Sequence, residues 1–251
     1  MNRGIRAVTG VLGELLITVG VVVLLYVSWQ LWVGDWIIGA QTDAQGHELA
    51  QEWAAAADEP VTPLDPAEPA DPADPADPAE PLEPAVVPVP AFADEFALLH
   101  VPRFGGDYAR TVAAGVAKGR ILDEGMIGYY PDTQLPGEVG NFAIAAHRTT
   151  YGAPFAGIAD LRIGDAIVVE TPAGWYTYRF RTLEYVRPDA VEVLLPVPQA
   201  LGEAGADRYI TLTSCSPRYS NAERIIAYGV FDSFQPRAAG PPASLAPVGD
   251  A

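Results

Sequence analysis

One cysteine, Cys215, stands in 251 residues, so the chain can form no internal disulfide, and a lone thiol says nothing about compartment. Basic residues are scarce too. Fifteen Lys and Arg against 32 Asp and Glu give a formal net charge of −17, and without a basic surface to neutralise phosphates a nucleic-acid binder is excluded. The three histidines, His47, His100 and His147, are scattered and with one cysteine show no metal-ligand spacing, so neither metal nor other cofactor is expected.

Charge is absent altogether from Leu15 to Val33, "LLITVGVVVLLYVSWQLWV". An apolar run of that length crosses a hydrocarbon core of roughly 30 Å as a helix. Arg3 and Arg6 precede it while Asp35 and an acidic region follow, which places the N-terminus in the cytoplasm and the rest outside. The run is longer than a signal-peptide core and "WVGDWIIGAQ" is a poor cleavage site, so residues 1–40 are expected to hold an uncleaved, single-pass plasma-membrane anchor.

Residues 41–59 are rich in Ala, Glu, Gln and Leu and predict a juxtamembrane helix. Residues 60–91 follow as a Pro-Ala-acid repeat of period three; from Asp58 through Glu83 the chain carries nine acidic residues and no basic one. Proline at that density blocks helix and sheet bonding and like charges repel, so an extended stalk is expected, reaching up to roughly 100 Å. A folded domain is expected over 92–234 and a disordered tail over 235–251.

Within the domain, "LLHVP", "NFAIAAH", "DAIVVET", "WYTYRFRTLEYV", "RYITLTSC" and "RIIAYGVF" are short runs of β-branched and aromatic residues bounded by Gly, Pro and Asp. Only "AKGRILDEG" and "FAGIADL" look helical. That pattern predicts a mainly β fold, a closed or nearly closed barrel. If the last two runs pair antiparallel, Cys215 and Arg224 share one rim; His147 also ends a strand. A thiol nucleophile, an imidazole and a cation for an oxyanion form a complete chemical set. On spacing alone, an inert buried cysteine and a surface arginine remain open alternatives.

The stretch "TLTSCSPRYSNAERIIAYGVF" resembles the sortase signature, and "GNFAIAAHR" the sortase histidine segment. "LPGEVGNFAIAAHRTTYGAPF" is similar to class E sortases of high-G+C Gram-positive bacteria, and the likeness runs from about Ala97 to Phe231. It implies an eight-stranded barrel that joins secreted proteins to the cell wall, with Cys215 as nucleophile, His147 as general acid or base and Arg224 as oxyanion group. Tyr130 in "GYYPDT" matches a class E tyrosine for the sorting signal, and Ser214 stands at the usual threonine before the cysteine. The partners implied are secreted proteins with a C-terminal sorting signal, preferably Leu-Ala-x-Thr-Gly, and a peptidoglycan-precursor amine. Ser216 replaces the usual histidine after the cysteine, and Ala145-Ala146-His147 the usual small-Gly-His. A pilin-polymerising sortase would use the same residues with a lysine acceptor, and a non-catalytic tethered module would share the anchor and linker. An L,D-transpeptidase would need Ser-His-Gly-Cys, which is absent.

Overall fold

The computed structural model describes residues 3–29, 33–58, 82–203 and 205–246. Two helices come first, α1 (Arg3–Ser28) and α2 (Gly34–Asp58). Eight strands follow: β1 (Glu95–His100), β2 (Arg110–Ala114), β3 (Ile127–Tyr129), β4 (Gly140–Ala145), β5 (Ala166–Thr171), β6 (Gly174–Val186), β7 (Arg208–Ser216) and β8 (Glu223–Pro236). They close in the order β1-β2-β3-β4-β7-β8-β6-β5, antiparallel except for β2–β3 and β4–β7. The eight-stranded barrel expected from the resemblance is therefore present.

Strand alternation fills the interior. Leu99, Val112, Ile127, Phe142, Ile144, Tyr176, Tyr178, Ile210, Leu212 and Ile225 converge in one core cluster. Two of its aromatics keep a polar end satisfied, as buried tyrosines require: Tyr178 Oη accepts the Gly137 N–H at 2.9 Å and Tyr176 Oη donates to the Ala85 carbonyl at 2.6 Å. β2 and β3 have no counterpart among the runs read from the sequence. The two helix-like stretches hold only single 3₁₀ turns, at Leu122–Glu124 and Ile158–Asp160.

In α1, Thr9–Ser28 has a mean hydropathy of 2.3 with none of it buried in the protein, long and apolar enough for a single membrane pass. It begins six residues before the uncharged run, because one charge at Glu14 does not end the helix. α2 also begins earlier than expected. Residues 34–40, grouped with the anchor for Trp36, Ile37 and Ile38, belong to a helix that packs on β2. Its buried positions include Gly39 and Gly46, seven residues apart, which keeps them on one face. Gly46 permits the approach: a Cβ there would lie 2.3 Å from the Ala109 carbonyl oxygen. Asp43 accepts from Arg110 Nε at 2.6 Å, Thr42 accepts from Arg110 Nη1, and His47 Nε2 donates to the Asp107 carbonyl at 3.0 Å.

The end of the expected stalk belongs to the fold as well. Glu83 pairs with Arg208 at 3.0 Å, Ala85 meets Tyr176, and Val87 is buried in the core. The repeat from 59 to 81 lies outside the described residues, yet both its flanks rest on the barrel. The expected disordered tail differs too: residues 235–246 continue the fold, and 247–251 lie outside the described residues. β8 runs to Pro236, and Arg237 donates to Glu170 and to the Thr171 and Pro172 carbonyls while lying 4.7 Å from the Trp175 ring centre. Composition rich in Pro, Ala and Gly hides those tertiary bonds.

Candidate active site

Along β7, Ile210 and Leu212 point into the barrel, so Thr211, Thr213 and Cys215 fall on the opposite face. The same alternation sends Tyr228, Ile226 and Arg224 of β8 outward beside them, with Cys215 and Arg224 directly opposed in register. On the other side of β7, β4 runs parallel with Ala145 opposite Thr213. The Ala146 N–H still donates to the Thr213 carbonyl at 3.2 Å, and His147 follows directly, just past the end of β4. Three residues distant in sequence thus lie at the same end of the β4–β7–β8 surface.

The far part of that surface is roofed by the β6–β7 connection. Thr211 donates to Asn141 Oδ1 at 2.7 Å, and Asn141 Nδ2 donates to the Val193 and Leu195 carbonyls at 3.1 Å each. Val193 packs on Ile226 and Tyr228. Burial and the neighbouring Glu184 carboxylate, which accepts from its hydroxyl, push the Tyr228 phenol well above its ordinary range, so it stays neutral. Cys215, by contrast, is only partly buried and is reachable.

His147 Nε2 bonds Asp123 Oδ1 at 2.8 Å, with the two side chains 17% and 22% exposed. A carboxylate only accepts, so Nε2 carries the proton and Nδ1 is the nitrogen left for other work. The imidazole also stacks on Tyr151, ring centres 5.0 Å apart. Arg224 Nη1 donates to the Asn221 and Glu223 carbonyls at 3.1 and 3.0 Å; among the described residues its Nε and Nη2 have no hydrogen-bond partner.

Tyr130 and Tyr129 divide sharply. Tyr129 is buried, stacked on Phe142 and bonded to the Thr133 carbonyl, and burial raises its phenol to about 12. Tyr130 is half-buried, and its hydroxyl reaches across β4 to Thr213 Oγ1 at 3.3 Å. The outward positions it crosses are Ala143 and Ala145, small enough to let a ring lie over them. Ser214 is not brought to the groove. It sits on the barrel-facing side of β7, 4% exposed, and its hydroxyl donates to the Ala146 carbonyl at 2.7 Å, tying β7 to the histidine segment. Thr213 takes the groove position instead.

Asp123 is the functional candidate that sequence reasoning missed. Its only signal was an acid pair, Asp123-Glu124, in a stretch that looked helical. A cavity of about 1270 Å³ lies between α2, β1, β5 and the C-terminal segment, but none of Cys215, His147 or Arg224 lines it. Its charged groups satisfy one another: Glu170 bonds both His100 and Arg237 at 2.8 Å. It is therefore set apart from the reactive groups.

Comparison with known proteins places this geometry. The family model described as Sortase domain matches residues 99–232. Sortase SrtE1 of Streptomyces coelicolor is 35% identical over 240 residues, covering 93% of this chain and 60% of that protein. Sortase SrtE2 of the same organism is 34% identical over 229 residues, covering 87% of this chain and 80% of that protein. The crystal structure of Sortase E1 from Streptomyces coelicolor with a tripeptide in the active site superposes with a TM-score of 0.57 at 39% identity, covering 62% of this chain and 99% of that one.

Proposed function

This chain belongs to the sortase family, in class E, and from that premise we propose that it is a membrane-anchored cysteine transpeptidase acting through Cys215, His147 and Arg224. The observation that carries the reading is the Cys215–Arg224 register pair, with His147 two residues beyond the end of β4, the strand that pairs with β7 on its other side. His147 Nδ1 takes the Cys215 thiol proton, and the thiolate attacks the Thr–Gly carbonyl of a sorting signal. Charge developing on oxygen is held by the unengaged nitrogens of Arg224, and His147 Nδ1 hands the same proton to the departing glycine amine, leaving a thioester. An acceptor amine then attacks the thioester, forming a new amide and returning the thiol. In this proposal the acceptor is a peptidoglycan precursor and the donors are secreted proteins with a C-terminal signal.

A preference for Leu-Ala-x-Thr-Gly over Leu-Pro-x-Thr-Gly is supported by Tyr130, whose hydroxyl reaches across β4 to within 3.3 Å of Thr213 Oγ1. An alanine in the signal keeps a backbone N–H that proline lacks, and a phenolic oxygen can accept it. Arg3 and Arg6 before the span support a cytoplasmic N-terminus and an extracellular barrel. The test is incubation of the full chain in detergent with both peptides and a panel of amines, with products read by mass. Cys215→Ala should yield no cleavage or transfer, and Arg224→Lys should lose most of the rate because lysine offers a point charge instead of a planar fork. Cleavage surviving in Cys215→Ala would end this reading.

A further inference from the structure

The turn that follows His147 is costly to form. Thr150, Tyr151, Gly152 and Ala153 have φ of 66°, 52°, 73° and 41°, four successive left-handed residues of which three carry a Cβ. Such a run persists only where its surroundings over-determine it. Those surroundings are α2. Asp35 Oδ2 accepts the Thr150 N–H at 2.9 Å. A Cβ at Gly152 would meet Ile38 Cγ2 at 3.0 Å and the Gly39 nitrogen at 3.1 Å, so helix and turn are already in close contact. The next turn of α2 lies against Gly125, two residues beyond the other partner of the imidazole, Asp123. A Cβ at Gly125, which closes the 3₁₀ turn bearing Asp123, would lie 3.0 Å from the Tyr151 carbonyl and 3.1 Å from Thr42 Cγ2.

We propose that Asp35 is a positioning residue for His147: through Thr150 it holds the strained turn whose Tyr151 ring stacks on the imidazole, so the segment leaving the membrane sets the acid–base group. This rests on His147 as the acid–base group of the proposed transpeptidase. Asp35 touches neither substrate nor the reacting atoms in this scheme. It supplies one acceptor to one backbone donor, and the rest of α2 fixes where that acceptor stands.

The experiment uses the full chain in detergent, as wild type, Asp35→Ala and Asp35→Asn, each in native and His147→Ala backgrounds. Peptide turnover gives kcat and KM. Iodoacetamide alkylation of Cys215, the only thiol in the sequence, reports the His147–Cys215 setting without any sortase substrate. Loss of one exposed hydrogen bond should lower kcat and the alkylation rate about 3- to 10-fold in Asp35→Ala, with KM and the melting midpoint unchanged. Asp35→Asn keeps an acceptor oxygen and should retain at least half of both rates. In the His147→Ala background Asp35→Ala should change nothing further, because coupled groups are not additive. Wild-type alkylation in Asp35→Ala, or an equal further loss in the His147→Ala background, would overturn the proposal. A wild-type chain that cleaves no peptide would instead overturn the transpeptidase reading, with alkylation still deciding the role of Asp35.

Discussion

Removing the Asp123 carboxylate should slow the enzyme without unfolding it. Its bond to His147 is 2.8 Å long and the two side chains are 17% and 22% exposed. A hydrogen bond to a charged group contributes about 1.5–3 kcal/mol when well shielded. Water reaches about a fifth of each partner, which lowers the figure to about 1–2 kcal/mol, or roughly 5- to 30-fold in kcat/KM. Asp123→Ala leaves the ring free to turn on its Tyr151 platform. Asp123→Asn is expected to be as slow, since its amide can donate to Nε2 and favour the other tautomer. Steady-state cleavage of a fluorogenic Leu-Ala-x-Thr-Gly peptide measures the loss, with a thermal melt as the folding control. If Asp123→Ala stays within twofold of wild type while His147→Ala is inactive, the carboxylate neither orients nor selects the tautomer of the imidazole.

Tyr130→Phe should reduce kcat/KM for the alanine signal by the value of one hydrogen bond, about 0.5–1.5 kcal/mol, while barely touching the proline signal. Tyr129→Phe, with its ring in the core, should leave the ratio of the two unchanged; equal ratios in both mutants would remove tyrosine from recognition. Asp43→Ala strands Arg110, whose side chain is 6% exposed, and should cost about 2–4 kcal/mol unless α2 lifts and lets water in. A melting midpoint within a degree of wild type would show that this pair does not fasten the helix. For Glu170, burial pushes the carboxyl up, but hydrogen bonds from His100 and Arg237 outweigh it and hold it below its ordinary 4.5. The unfolded chain therefore takes up the proton first as pH falls, so this stabilisation is complete above the ordinary 4.5 and is lost progressively as pH falls below it. Glu170→Gln should flatten that part of a stability-versus-pH curve measured by urea titration.

Strands with alternating β-branched residues were legible because each writes its own pattern; β7 and β8 even carried the pairing that opposes Cys215 to Arg224. β3 was not, since three residues, Ile127–Tyr129, are too few to establish a period. Asp123 was hidden for a different reason. Its role depends on a turn brought beside β4 by the closure of the barrel, and nothing local distinguishes it from Glu124. The docking face of α2 was equally silent, because Asp35, Gly39, Thr42, Asp43 and Gly46 form no apolar stripe. Helix propensity predicted that the segment is helical but not what it lies against.

The repeat between residues 59 and 81 joins two points of the same domain, since α2 before it and Glu83 to Val87 after it are both seated on the barrel. Its length therefore does not decide the height of the active site above the bilayer. That height belongs to the junction between α1 and α2, which end and begin at Ser28 and Gly34. Period-three units can be gained or lost at little thermodynamic consequence, because closure entropy grows only with the logarithm of length, about 0.6 kcal/mol per doubling. A chain with residues 60–81 duplicated should unfold within that margin of the original, whereas five residues inserted between Ser28 and Gly34 would raise the barrel relative to the bilayer, a change readable by fluorescence quenching from the lipid surface.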